Sequence, residues 1–133
     1  MSVRLFYPIA IAAILGCASS GTSPISNTVK VPRTPNYITG EEIVASNATE
    51  MTVYDAVARL RPNWLAAKGR ATQGSEYPVA YVDGQQYGSA ESLRNIRAYS
   101  VADIRYYDIT QAGARFGLQG GTGGVIEVRM RVR

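Results

Sequence analysis

Residues 120–133 read GGTGGVIEVRMRVR, and the second half of that stretch decides the fold class. Ile126, Val128, Met130 and Val132 fall on one side of an extended chain, and Glu127, Arg129, Arg131 and Arg133 on the other. That two-residue period is the mark of a strand buried on one face. The glycines before it, Gly117 to Gly124 in "GLQGGTGG", have the composition of a phosphate-cradling loop. No Lys-Ser or Lys-Thr follows them, and a strand rather than a helix comes next, so a tight backbone turn is the expected role.

Outward from this strand the chain alternates short helical and extended signals. "TQAGARFG" (110–117) predicts a helical turn. "DIRYYDI" (103–109) sets Ile104, Tyr106 and Asp108 against Arg105, Tyr107 and Ile109, a second strand buried mainly on one face. "SAESLRNI" (89–96) predicts a short helix capped by Ser89. "VAYVDGQQYG" (79–88) predicts a strand through Val79, Tyr81 and Val82, ended by the turn pair Asp83-Gly84. "AAKGRATQGSEYP" (66–78) is polar and reads as a loop.

Further upstream, "TVYDAVARLRP" (52–62) places Val53, Ala56, Val57 and Leu60 on one helical face and the pair Asp55–Arg59 on the other, with Pro62 as the stop. Trp64 and Leu65 follow, as an edge strand or a core plug against that helix. In "NYITGEEI" (36–43) Tyr37 and Ile38 are extended, and Thr39 or Gly40 caps a helix with Glu41 and Glu42 in its first turn. The sum is an α+β fold, a small mixed β-sheet with short helices.

Composition narrows the chemistry. The 133 residues suffice for one small domain, and a hydrophobic fraction of 46% with 18% charged residues is that of a globular chain. There is no histidine and one cysteine. Ser-His-Asp and Cys-His catalysis, histidine-ligated zinc, cysteine zinc clusters and internal disulfides are thereby excluded. Fourteen basic against ten acidic residues give a net charge of +4, but the cations are dispersed apart from the tail, so no nucleic-acid partner is expected. Asp55, Asp83, Asp103 and Asp108 are read as solvated turn and cap residues rather than an acid–base pair. Tyr81, Tyr87, Tyr99, Tyr106 and Tyr107 are read as sheet packing, with a stacking surface for sugars as the lesser option. No catalytic residue, cofactor or metal ligand is expected.

The amino-terminal "MSVRLFYPIAIAAILGC" carries one cation, Arg4, before an uncharged run from Leu5 to Leu15. That length suits the apolar core of a signal peptide, whereas a membrane span needs about 20 residues. Ile14-Leu15-Gly16-Cys17 resembles the bacterial lipobox, which implies cleavage after residue 16 and acylation of Cys17. More than one acyl chain makes the anchor durable. Ala18 rather than an aspartate follows Cys17, which by enterobacterial sorting rules implies the outer membrane, with the protein on its periplasmic face and surface exposure left open. Residues 17–35 then read as the lipidated cysteine and a Ser/Thr/Pro-rich tether, and 36–133 as the folded domain.

Four segments of that domain, in order, resemble the plug domain of TonB-dependent outer-membrane receptors. "YITGEEI" is similar to the family's opening, "VYDAVARLRPNWL" to its first helix, and "PVAYVDGQQY" to its strand and Asp-Gly turn. "LRNIRAYSVADIRYYDITQAGARFGLQGGTGGVIEVRMR" is similar to its closing stretch through Ile104, Gly117, Gly123 or Gly124, and Val125-Ile126. The resemblance spans roughly residues 37–131 and implies a plug-like α+β fold. Departures accompany it. "PNWL" replaces the family's Pro-Gly turn, a lipid anchor and tether stand where a receptor has its energy-coupling segment, and no barrel follows Arg133, so transport by this chain alone is not expected.

The resemblance implies a freestanding plug-like binding module, not an enzyme, held to the membrane by Cys17 and recognising an outer-membrane protein. The competing class is a small-ligand carrier, for a sugar or siderophore-like molecule, or an enzyme built on the tyrosines and loop carboxylates. A saturable small-molecule affinity without a protein partner would favour that class.

Overall fold

Val125–Met130 forms a strand at the centre of the sheet, with a neighbour on each side. The computed structural model describes residues 31, 33–68 and 76–132. The signal segment, Cys17, the tether up to residue 30 and Arg133 lie outside the described residues. In chain order the strands are β1 (Tyr37–Thr39), β2 (Val79–Val82), β3 (Gln85–Ser89), β4 (Val101–Tyr107) and β5 (Val125–Met130). They assemble in the order β1-β4-β5-β2-β3. β5 runs parallel to β2 and antiparallel to β4, and the other pairs are antiparallel. With the helices α1 (Gly40–Ala45), α2 (Val53–Leu60) and α3 (Ile109–Phe116) this is an α+β domain with a five-stranded mixed sheet.

The register sorts side chains into two faces. Ile38, Ile104, Val128 and Val82 stand opposite one another across four strands, as do Tyr106, Ile126 and Ala80 across three. Their face carries the main core, closed by Ile43 of α1, Val53, Ala56 and Val57 of α2, and Leu93, Ile96 and Ala98 from the 3-10 turns Ala90–Asn95 and Ala98–Ser100. Trp64 fills the middle of this layer. It lies in the 3-10 turn Pro62–Trp64, not in an edge strand, fully buried and stacked on Tyr106 with ring centroids 5.6 Å apart.

Local chemistry explains the helix ends. Thr39 accepts from the Glu42 amide at 3.1 Å, Thr52 from Asp55 at 3.2 Å, and Asp108 from Gln111 at 2.8 Å, so each helix has a side-chain N-cap. α2 ends before Pro62, whose ring cannot continue it. The anticipated Asp55–Arg59 pair does not form. Asp55 instead accepts from its own cap, the Thr52 hydroxyl at 2.7 Å, and meets Arg94 at 3.4 Å. Ser89 precedes a 3-10 turn, and its hydroxyl makes no capping bond.

The turn at Asp83-Gly84 has positive φ at both residues, 48° and 82°, the geometry that suits a tight hairpin. It leads into β3, a strand that the sequence pattern does not single out, since Gln85–Ser89 is exposed along most of its length. In the glycine-rich loop the turn reading holds. A Cβ at Gly123 would strike the Tyr77 carbonyl, and Gly124 sits at φ 88° beside the Tyr107 carbonyl oxygen. Glycine there lets the loop lie flat on the sheet before β5 begins.

A buried ion pair flanks this frame. Arg61, which the sequence pattern does not single out, is 8% exposed and meets Glu42 through two nitrogens at 2.9 and 3.2 Å. Its Nη2 also donates to the Thr34 carbonyl at 2.9 Å, while Trp64 Nε1 donates to Pro35 at 3.1 Å. The last residues of the anticipated tether are thus fixed to the domain. A buried pair with its remaining donors bonded, as here, avoids the cost of an orphaned charge.

Candidate functional site

The opposite face of the sheet is only half covered. Across it stand the rows Tyr37–Arg105–Glu127–Tyr81, Thr39–Asp103–Arg129 and Tyr107–Val125–Val79. α3 lies over the third row, where Ala112 and Phe116 pack with Tyr81, Val125, Val79 and Tyr107. The Tyr81 and Phe116 rings are 4.3 Å apart, and Phe116 meets Tyr107 edge-on at 5.5 Å. α3 leaves the second row and the Tyr37–Arg105 end of the first uncovered, and there Arg105, Arg115, Glu127 and Arg129, with the Asp83-Gly84 turn, line a shallow depression of about 360 Å³.

Glu127 was expected to point to solvent with the arginines, but it is buried, because α3 covers its end of the strand. The Tyr107 hydroxyl donates to Glu127 Oε2 at 2.8 Å, and Arg115 Nη2 donates to both carboxylate oxygens at 3.2 and 3.3 Å. Burial first, and this hydrogen bond second, push the Tyr107 hydroxyl above the ordinary tyrosine range. Asp103 lies between two cations, with Arg105 Nε at 3.6 Å and Arg129 Nη1 at 3.7 Å. Both contacts are longer than a hydrogen bond, and Asp103 Oδ1 is buried without a hydrogen-bond partner. Arg105 also lies over the Tyr37 ring, 4.9 Å from its centroid.

Depth therefore separates the charges. The Asp103 and Glu127 side chains are 12% and 5% exposed, whereas those of Arg105, Arg115 and Arg129 are 44%, 54% and 55% exposed. Carboxylates form a lower layer and guanidinium groups an upper one. Asp83 is the exception at the rim, with Oδ1 accepting from the Met130 amide at 2.9 Å.

The four aspartates singled out in the sequence stay in separate roles. Asp55 and Asp108 serve helix ends, Asp83 serves the hairpin turn and Asp103 the arginine pair. Among the described residues no group of three or more cysteine and carboxylate side chains is arranged to hold a metal ion. The tail arginines separate: Arg129 stays on the open face, while Arg131 turns back to donate from Nε to the Val101 carbonyl at 2.9 Å. Val132, expected inward, is 99% exposed because β5 ends at Met130. The tyrosines divide likewise: Tyr81 and Tyr106 are buried in packing, whereas Tyr87 and Tyr99 are exposed.

A second concavity of about 220 Å³ lies beside Tyr54, Leu65, Tyr77 and the Ser89-Ala90-Glu91 stretch. It is smaller than the roughly 300–1,000 Å³ that enclose a drug-sized ligand. Beside it, Arg94 covers the Tyr54 ring at 3.7 Å and donates to Glu91 at 2.7 Å.

Sequence reasoning set Arg105 and Arg129 on the outward sides of their strands, but missed their grouping with Arg115 and missed Glu127 as the buried anchor. The available signal was the order strand, helix, strand across residues 101–130, which brings α3 back over one face of its own sheet. The chain matches no family model, no curated protein and no solved structure.

Proposed function

We propose that this chain is a lipid-anchored interaction module with a plug-like domain, held through Cys17 at the periplasmic face of the outer membrane, where it contacts an outer-membrane protein. In this reading the chain performs no chemistry, and any transport channel belongs to its partner. The observation that carries the proposal is the half-covered sheet. A five-stranded sheet has two faces to bury, and here one helix covers only the Val125 end of the second face. What is left uncovered is arginine-bearing, as befits a surface that stays in water until a partner arrives. The sequence resemblance supports the same reading, since its segments supply four of the five strands and the helices α1, α2 and α3.

Two linked measurements test this. Mass spectrometry of the membrane-extracted protein should find an acylated amino terminus at Cys17, and Cys17→Ser should move the protein from the membrane to the soluble fraction. In crosslinked membranes the wild-type chain should then yield one outer-membrane protein in near-equal amount. Recovery of the chain alone, or of an unmodified amino terminus at Met1, would contradict the proposal.

A further inference from the structure

We infer that the open half of the sheet seats an extended acidic segment of the partner, with alternate Asp or Glu side chains meeting Arg105 and Arg129. This rests on the interaction-module reading and names the chemistry of its partner. Three features of the face lead to it.

The first is the vertical order of charge. Glu127 and Asp103 are turned inward as counter-ions, so an approaching molecule meets guanidinium groups half exposed above them. The second is unused donor capacity. Each guanidinium has five N–H donors. Arg105 and Arg129 approach Asp103 only at 3.6 and 3.7 Å, so neither meets this carboxylate at hydrogen-bond distance. Arg115 spends one nitrogen on Glu127. Planar donor forks of this kind match carboxylates, which they bind through two parallel bonds.

The third is spacing. Arg105 faces Glu127 across the β4–β5 pair and Asp103 faces Arg129, so the two arginines are diagonal neighbours, about 7–8 Å apart at the backbone. An extended chain advances about 3.3 Å per residue, which places side chains two residues apart at about 6.6 Å and on one side. A segment with acidic residues at alternate positions therefore presents its carboxylates at the interval of this arginine pair. The third cation open to an acidic side chain is Arg115, which meets Glu127. Asp83 at the rim repels an acidic chain and so limits how far the segment extends toward the hairpin turn.

The test uses the full chain labelled with 15N and a short synthetic peptide with a Glu-Ser-Glu centre, read through the arginine Nε–Hε resonances. The expected result is saturable shifts confined to Arg105, Arg115 and Arg129, weakening as salt is raised. A peptide with Gln-Ser-Gln at its centre should produce none. The double variant Arg105→Gln/Arg129→Gln should bind about tenfold more weakly, while Arg59→Gln/Arg97→Gln, of the same net charge, should bind as wild type. Equal binding of both peptides, or an unchanged affinity in the first double variant, would overturn the inference. So would inorganic phosphate or phosphatidylglycerol vesicles shifting the same resonances at lower concentration than the acidic peptide. In crosslinked membranes, a partner adduct that survives Arg105→Gln/Arg129→Gln would overturn this inference alone, whereas no adduct from the wild-type chain would overturn the interaction-module reading beneath it.

Discussion

The two faces of one sheet carry different work. On the helical face, Ile38, Ile104, Val128, Ile126 and Ala80 meet Trp64, Val53, Val57 and Leu93, all fully buried. On the other face the same strands present Tyr37, Arg105 and Arg129, with Asp103 buried beneath the arginines and apolar packing restored where α3 lies over Val125 and Tyr81. Adjacent residues of β4 and β5 belong to opposite sides, so a single substitution changes one face with little direct effect on the other. Apolar burial is concentrated on the helical face, and the open half of the second face is the part proposed for contact.

The largest expected effect comes from breaking the helical face. Trp64→Ala removes the central aromatic side chain and its stacking on Tyr106, and should lower unfolding free energy by about 4 kcal/mol in urea titrations. Arg61→Met leaves the buried Glu42 only the exposed Arg33, 3.8 Å away, and should cost about 3 kcal/mol by the same measurement, with most of the loss recovered when Glu42→Leu is added. Recovery on that scale would show that the pair is a liability when halved rather than a large net stabiliser when whole.

Intermediate effects should arise where the second face is covered. Glu127→Gln weakens the contacts to Tyr107 and Arg115 and should cost about 1–2 kcal/mol. Amide hydrogen exchange should show α3 opening faster while α2 is unchanged. Tyr107 sharpens the same point through pH. Its folded-state pKa is raised, by burial first and by the Glu127 hydrogen bond second. The folded chain therefore holds the phenolic proton more tightly than the unfolded chain. The contribution is full below the ordinary tyrosine pKa near 10 and is lost as pH rises through the higher folded value. Thermal melts should fall above that range, and Tyr107→Phe should fall less steeply; the raised Tyr106 hydroxyl supplies part of the remaining slope.

The smallest stability change belongs to the open half. Arg105→Gln and Arg129→Gln should each alter unfolding free energy by less than about 0.5 kcal/mol, because each arginine is half-exposed and Asp103 keeps the other arginine beside it. A large loss from either would mean that these arginines hold the sheet together and would erase the division of labour between the faces.

Much of this frame was legible in the chain. Alternation around Ile126 and Val128 identified β5, Thr39 and Thr52 signalled helix starts, Pro62 a helix stop, and Asp83-Gly84 a hairpin turn. Each of these rests on local chemistry within a few residues. The misses have the opposite character. Glu127 looked outward because alternation alone cannot see that α3 folds back over its end of the strand. Arg61 drew no reading because its partners, Glu42 and the Thr34 carbonyl, are 19 and 27 residues away in sequence. β3 has little apolar character to announce it, and it exists because the turn delivers it to the edge of β2. The arginine surface was half visible, in Arg105 and Arg129, but their grouping with Arg115 depends on tertiary register. The central position of β5 also means that the strand edge itself is not open to pair with another sheet.

The measurement that bears most directly on the division between faces is photocrosslinking in native membranes from two exposed positions. One photoreactive residue replaces Gln86, which stands opposite Tyr81 at the rim of the open face. The other replaces Tyr99, 54% exposed in the turn packed against α1. The expected result is an adduct with one membrane protein from position 86, strongly reduced by Arg105→Gln/Arg129→Gln, and none from position 99. Equal adducts from both positions, or an adduct from position 86 that the arginine substitutions leave intact, would contradict it.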